Sequence, residues 1–113
     1  ERDSRGSKTA EATKASFFMY YLYIITSEIA GKHYVGVTDN YLRRLTEHNT
    51  SDRNTFTSKY RPWKIAAVFE CSNDMGTARK MENFIKKQKS KTLIERMINN
   101  EPLTGLLAQL VIP

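Results

Sequence analysis

The sequence predicts a small α/β domain, in which a three-stranded sheet begins as a β-hairpin and is flanked by helices. Aromatic and β-branched residues fill 17–26 and 32–37, and the polar segment between them contains Gly31, which is typical of two strands joined by a turn. A third run of this kind covers 64–71. Apolar residues then recur at helical spacing after residue 73. With 113 residues, the chain has room for one such domain.

The domain is expected to begin after a polar N-terminal segment. Residues 1–15 carry no apolar period, so we interpret them as a flexible leader and assign 16–113 to one domain. In the hairpin, Tyr23 and Tyr34 lie on facing strands and can approach each other. Strand alternation places Tyr21 on the same face as Tyr23. The phenylalanines of the strands are expected in the core: Phe17, Phe18 and Phe69.

A first helix is predicted to follow the hairpin. Asp39 offers an N-cap, and Leu42 and Leu45 are expected to face inward. Residues 49–64 form a basic loop in which Pro62 excludes a helix.

Two further helices and a tail complete the prediction. The second helix begins at Asn73 or Asp74 and ends at Lys89, and Ser90 caps the third. Segment 103–111 is expected to form a last helix packed on the domain. The inward positions share helical spacing: Ala78, Met81, Ile85 and Gln88 on the second helix, and Leu93, Ile94, Met97 and Ile98 on the third.

The composition favours a polyanionic partner inside the cell. Eighteen Lys and Arg against twelve Asp and Glu give a formal net charge of +6, which suits nucleic acid, although a merely solvated basic surface would look the same. A single cysteine, Cys71, excludes an internal disulfide and a cysteine-based zinc site. The apolar run 17–25 is too short to span a membrane, and no secretory signal is visible. We therefore expect a cytoplasmic, nucleoid or nuclear protein that is not secreted.

Four residues with a shared chemical use follow one another closely. Tyr23 and Tyr34 supply phenols, while Arg44 and His48, one helical turn apart, supply a permanent cation and an imidazole on one face. Phosphodiester hydrolysis needs an activated water and compensation for charge on the phosphate oxygens. A guanidinium fork matches two phosphate oxygens, and an imidazole can relay a proton.

These residues carry a family resemblance. Tyr21-Leu22-Tyr23 and Tyr34-Val35-Gly36, followed by Arg44, His48 and Glu82, resemble in order and spacing the motifs of the GIY-YIG nuclease superfamily. The sequence is most similar to the small single-domain, YhbQ-like branch, from about residue 17 to residue 97. One departure is visible, because Tyr21 replaces the first motif glycine, a position that provides room rather than chemistry.

The resemblance implies a role for each residue. It makes Tyr23 the general base and Tyr34 the group that positions water or phosphate, although the residues alone leave these two roles exchangeable. Arg44 would bind phosphate, and His48 would relay a proton or hold the base, with a capping or surface histidine as the alternative. Glu82 would bind one divalent cation, Mg²⁺ or alternatively Mn²⁺, which accepts a single carboxylate and keeps its waters.

The basic side chains around these motifs suit a phosphate backbone. Tyr60 and Trp63 are interleaved with them, and Trp63 is either a packing anchor or a platform for a base. Lys32, beside the second motif, would also favour a phenolate. The candidates for binding nucleic acid are Lys32, Arg53, Lys59, Arg61, Lys64 and Lys86.

The sequence thus predicts a divalent-metal-dependent endonuclease that hydrolyses phosphodiesters of nucleic acid, with DNA as the expected substrate. The alternative is a non-catalytic nucleic-acid-binding or adaptor module that keeps the nuclease fold. A one-site domain would cut a duplex by two sequential nicks or as two copies, so a dimer on the substrate is a further expectation.

Overall fold

A computed structural model describes residues 18–113 and contains one three-stranded antiparallel sheet in this range. The strands are β1 (Tyr20–Ser27), β2 (His33–Thr38) and β3 (Trp63–Ser72), in the spatial order β2-β1-β3. The predicted fold class, a small α/β domain begun by a hairpin, is confirmed. The expected leader and Phe17 lie outside the described residues.

Three α-helices flank the sheet: α1 (Tyr41–Thr50), α2 (Met75–Gln88) and α3 (Lys91–Ile98). Asp74, one of the two predicted starts of α2, caps that helix by accepting from the backbone N–H of Thr77. Ser90 caps α3 in the same way, as predicted. Single turns of 3₁₀-helix occur at Thr57–Lys59 and Gly105–Gln109.

The two faces of the sheet bury separate apolar clusters, because successive strand residues point to opposite sides. On one face, α2 and α3 cover a cluster that includes Leu22, Ile24 and Phe69. On the other face, Tyr23, Ile25 and Trp63 are buried. Residues of α1 and of the loop before β3 complete this second cluster: Tyr41, Leu45 and Tyr60.

The start and inner face of α1 differ from the prediction. Asn40, not Asp39, is the N-cap, because its side chain accepts from the Arg43 backbone N–H while Asp39 pairs with the Arg43 guanidinium at 2.8 Å. Leu42 is 64% exposed, so its predicted inward position is wrong. The inward stripe begins one residue earlier, at Tyr41, and continues through Leu45.

Two other expected core positions are also wrong. Gln88 is exposed, because α2 ends there, beyond its buried residues Ala78, Met81 and Ile85. Phe18 precedes β1 and is 45% exposed, and its ring lies edge-on to that of Tyr20, with ring centroids 4.9 Å apart.

The C-terminal segment packs on the domain with less helix than expected. It forms the 3₁₀ turn, which buries Leu107, and then a single antiparallel bridge between Val111 and Glu70 at the outer edge of β3. Among residues 18–113, the helices are too short and too polar to cross a membrane.

Candidate active site

A chain of hydrogen bonds links the central strand to α1 and the following loop. The Tyr23 hydroxyl lies 2.8 Å from Nε2 of His48, and Nδ1 of His48 lies 2.9 Å from Oγ1 of Thr57. All three residues are buried. Since a neutral imidazole has one donor and one acceptor nitrogen, each ring nitrogen has a partner, and the ring orientation is fixed.

Gly36 makes room for this arrangement. It lies directly opposite Tyr23 in the β1–β2 register, and a Cβ added at Gly36 would overlap the Tyr23 phenol. The phenol ring therefore lies flat across the bare backbone of β2. The glycine of the second motif thus serves the side chain of the first.

Burial keeps both members of the pair neutral at ordinary pH. It lowers the pKa of His48 from 6.5 to about 4, and the positive charges of Arg44 and Arg61 add to the effect against the opposing charge of Glu47. Burial also raises the pKa of Tyr23 above its usual value of 10, although the Arg44 guanidinium acts in the opposite direction. The imidazole is therefore unprotonated near neutrality, and the same burial and neighbouring cations oppose its protonation.

Arg44 and Tyr34 form the wall of a cleft beside this pair. The cleft has a volume of about 570 Å³, and His48 also lines it. Tyr34 is half-buried, with its ring centroid 5.0 Å from that of His48. The Arg44 guanidinium pairs with Glu47 at 3.0 Å and keeps 38% of its side chain exposed. This guanidinium can therefore contact an anion that enters the cleft.

Glu82 lies on α2 and is nearly buried. Its side chain is only 7% exposed, and its two carboxylate oxygens pair with Lys86 at 2.9 Å and Arg79 at 3.4 Å. The Lys86 ammonium also lies 5.3 Å from the centre of the Tyr34 ring. Lys86 thus connects the carboxylate of α2 to the tyrosine of the cleft.

A model of the GIY-YIG catalytic domain matches residues 19–96 of this chain, and these residues contain both tyrosine motifs, the Arg44–His48 pair and Glu82. The chain belongs to the GIY-YIG family. This family consists of nucleases, so the chain carries a domain of the type that cleaves nucleic acid.

Two bacterial relatives place this GIY-YIG domain in the small branch of the superfamily. A UPF0213 protein of Pectobacterium carotovorum is 36% identical over 87 residues, which cover 75% of this chain and 83% of the relative. A UPF0213 protein of Fusobacterium nucleatum is 37% identical over 68 residues, covering 60% of this chain and 66% of the relative. Neither name states an activity.

GIY-YIG nucleases generally use a divalent metal, and the donor set here fits a hydrated cation of the Mg²⁺ type. Within the described part of the chain, no group of three or more His, Cys, Asp or Glu side chains is placed to hold a metal. Glu82 supplies one nearly buried carboxylate, which pairs with Lys86 and Arg79. Mg²⁺ can bind through a single carboxylate when it keeps its own waters. A cation bound to Glu82 would compete with the Lys86 ammonium.

The basic candidates for substrate binding occupy different positions. Arg53 lines the cleft, and exposed Lys32 lies 5.1 Å above the Tyr60 ring. Lys59 is exposed on the first 3₁₀ turn. Lys64 lies on β3 and faces Glu28 at 4.0 Å.

Arg61 has a structural use. Its guanidinium donates to the backbone carbonyls of His48 at 2.7 Å and Ser51 at 2.6 Å, and so satisfies orphan carbonyls at the end of α1. Trp63 is 3% exposed and donates from Nε1 to the Thr57 carbonyl at 2.7 Å, so it is the packing anchor of the loop.

Three further residues contribute to the site without any motif to single them out in the sequence. Thr57 partners His48, Glu47 pairs with Arg44, and Phe56 stacks on Tyr34 with ring centroids 6.2 Å apart.

Proposed function

We propose that this protein is a divalent-metal-dependent endonuclease that hydrolyses phosphodiester bonds of nucleic acid, with DNA as its substrate. The observation that carries the proposal is the buried Tyr23–His48 pair beside a cleft that Arg44 and Tyr34 line. A proton acceptor, a phosphate-binding cation and a second phenol thus lie at one place, as hydrolysis requires.

Arg44 is the residue that binds the scissile phosphate. It is always protonated, its fork matches two phosphate oxygens, and it is partly exposed in the cleft. In the free protein Glu47 neutralises it, so an incoming phosphate exchanges one anionic partner for another. Charge that develops on the phosphate during attack strengthens this contact.

Tyr23 and His48 act together as the general base. In the required tautomer, Nδ1–H of His48 donates to Thr57, and Nε2 accepts from the Tyr23 hydroxyl. Tyr23 takes the proton of the attacking water while its own phenolic proton moves to Nε2, which leaves an imidazolium. This transfer avoids a free phenolate, which the burial of Tyr23 disfavours, but it forms an imidazolium that burial and Arg44 also disfavour. A phosphate anion bound at Arg44 would offset this cost. Tyr34, at the wall of the cleft, positions the water or the phosphate.

Glu82 is the residue that would hold a divalent cation, Mg²⁺ or Mn²⁺. When bound, the cation would supply Lewis-acid stabilisation of charge on the phosphate oxygens. Lys86 must leave Glu82 for this to happen, and a substrate phosphate is its natural alternative partner. Lys32, Arg53 and Lys59 would hold the flanking phosphates. Such a protein would act inside the cell, and a duplex cut would need two nicks or two copies.

A second candidate function is a nucleic-acid-binding module without turnover. The observation that favours it is that both carboxylate oxygens of Glu82 are already paired, with Lys86 and Arg79. If these pairs persisted with substrate bound, no cation would reach the carboxylate.

Labelled single-stranded, duplex and branched DNA, together with RNA, would test the proposal. We expect cleavage in Mg²⁺ or Mn²⁺ that is abolished by EDTA and by Glu82→Gln. Glu95→Gln, which changes an exposed helix glutamate of α3, is the control and should cleave normally. Binding without cleavage in either metal, with the same affinity in Glu82→Gln, would instead support the binding module.

A further inference from the structure

We propose that the exposed ring of Phe56 is a stacking platform for an unpaired nucleobase next to the scissile phosphate. This inference rests on the proposed nuclease function and extends it to the class of substrate. The phosphates would be bound by the cleft and the base by the ring, so that the cleaved strand carries an unstacked base at this position.

Phe56 is an exposed aromatic ring with a rigid support. It is 45% exposed, whereas Trp63, where the same loop ends, is buried. Three aromatic rings hold it from the protein side, with centroids 5.1 Å away at Tyr60, 6.1 Å at Trp63 and 6.2 Å at Tyr34. An aromatic ring supported on one side and open on the other is what base stacking requires.

Phe56 also lies between two grooves that a nucleic acid strand would follow. It lines the catalytic cleft together with Tyr34 and Arg44. It also lines a second groove, of about 420 Å³. That groove is rich in lysine: Lys32, Lys86, Lys89 and Lys91. Because both grooves adjoin Phe56, a strand whose phosphates pass from the lysine groove to Arg44 would run beside its ring.

The cleft beyond Phe56 can accommodate a base. Its volume of about 570 Å³ lies in the range of small-molecule sites. Polar side chains also line it: Thr50, Ser51, Arg53 and Thr55. Hydroxyls and a guanidinium can contact the edge of a base that enters with its face on Phe56.

A base within an intact duplex cannot reach this ring, because its two neighbours cover both of its faces. A base becomes available where the strand is single or where one nucleotide is unpaired, and leaving the stack then costs little. Both sources present the same chemistry, a free face of a nucleobase. The proposal therefore predicts preference for such strands over a fully paired duplex.

The test uses 2-aminopurine, whose fluorescence falls when it stacks on an aromatic ring. It would be placed at successive positions of single-stranded DNA, of a duplex with one unpaired nucleotide, of a fully paired duplex and of single-stranded RNA. Binding would be measured in EDTA with wild type, Phe56→Leu, Phe56→Trp and Phe84→Leu. Phe84 is a matched control, because it is 39% exposed on α2 and does not line either groove that Phe56 lines.

We expect one quenched position in the single strand or in the duplex with an unpaired nucleotide, and none in the full duplex. Phe56→Leu should remove the quenching and weaken binding roughly 10- to 100-fold, while Phe56→Trp and Phe84→Leu retain both. Comparing the strands shows which source of the free base is preferred. Phe56→Leu keeps an apolar side chain, and its melting temperature reports whether it folds.

Quenching that survives in folded Phe56→Leu, or equal binding of the full duplex and the single strand, would overturn the inference. A different result would refute the nuclease proposal. Quenching lost in Phe56→Leu without cleavage in any metal would leave the stacking site supported and refute the enzyme. Metal-dependent cleavage that Phe56→Leu leaves unchanged on every substrate would refute only the stacking site.

Discussion

The Tyr23 hydroxyl and Nε2 of His48 lie 2.8 Å apart in an interior where Tyr23 is 1% and His48 4% exposed. The pair therefore has both a structural and a chemical consequence. Removing the hydroxyl leaves a buried imidazole nitrogen without its partner, and it also removes the first acceptor of the proposed proton transfer.

Tyr23→Phe should lower the free energy of unfolding by about 1–3 kcal/mol and lower the cleavage rate by about 10²- to 10⁴-fold. Tyr34→Phe, at the half-buried wall of the cleft, should change stability by less than about 0.5 kcal/mol while still slowing cleavage. Urea unfolding and single-turnover cleavage measure the two effects separately. A Tyr23→Phe variant that cleaves at the wild-type rate would refute the assignment of the base.

Gly36→Ala should disturb the pair from the opposite strand. The added methyl overlaps the Tyr23 phenol, so the ring or the strand must move, at a cost of about 1–3 kcal/mol. Gly76→Ala is the control, because its methyl would meet only the end of the Asp74 side chain, at 3.2 Å. Thermal unfolding of both variants checks this, and equal stability of Gly36→Ala and wild type would contradict the packing described here.

The low pKa of His48 makes stability depend on pH. The unfolded chain binds a proton at this histidine below pH 6.5, whereas the folded protein does so only below about pH 4. The contribution of His48 to the free energy of unfolding is therefore fully present above pH 6.5. It is lost as the pH decreases from 6.5 to 4, by a total on the order of 3 kcal/mol.

Urea unfolding between pH 7 and pH 4 measures this slope. His48→Gln should lose this part of the pH dependence, although it is less stable at pH 7. His33→Gln, whose ring is half-buried beside Thr26, should retain it. A wild-type slope that matches that of His48→Gln would show that His48 titrates normally in the folded protein.

The pairing of Lys86 with Glu82 predicts a competition with metal. Because the ammonium occupies one carboxylate oxygen at 2.9 Å, Lys86→Gln should raise the affinity of the free protein for Mn²⁺ roughly tenfold. Lys87→Gln removes the same charge from an exposed position of α2 and should change the affinity much less.

Mn²⁺ binding in the absence of nucleic acid, followed by electron paramagnetic resonance, measures these affinities without any cleavage. In a Glu82→Gln background, Lys86→Gln should have no effect. Equal affinities for the Lys86→Gln and Lys87→Gln proteins would contradict a specific competition at Glu82.

Local signals in the sequence were sufficient for the fold. The strand runs, the cap Ser90 and the helical period of α2 act over a few residues, so they predict elements that the structure confirms. The prediction that Leu42 faces inward is wrong. The inward positions of α1 include a polar residue, His48, and an apolar pattern does not reveal such a position.

The sequence pattern does not predict the contacts between distant segments at the site. Thr57 and Phe56 come after α1 in a loop with no regular period, and only the folding of that loop onto Trp63 brings them to His48 and Tyr34. The same folding brings the Arg61 guanidinium to backbone carbonyls at the end of α1, a contact that its charge alone does not indicate.

The most direct test of the nuclease proposal compares two neighbouring arginines in single-turnover cleavage at saturating Mg²⁺. Arg44 lines the cleft, whereas Arg43 is more exposed and pairs with Asp39 and Glu47 on the surface of α1. We predict that Arg44→Ala lowers the rate at least about 100-fold and that Arg43→Ala stays within about threefold of wild type. Equal rates for the two variants, or no cleavage by the wild type on any substrate, would contradict the proposal.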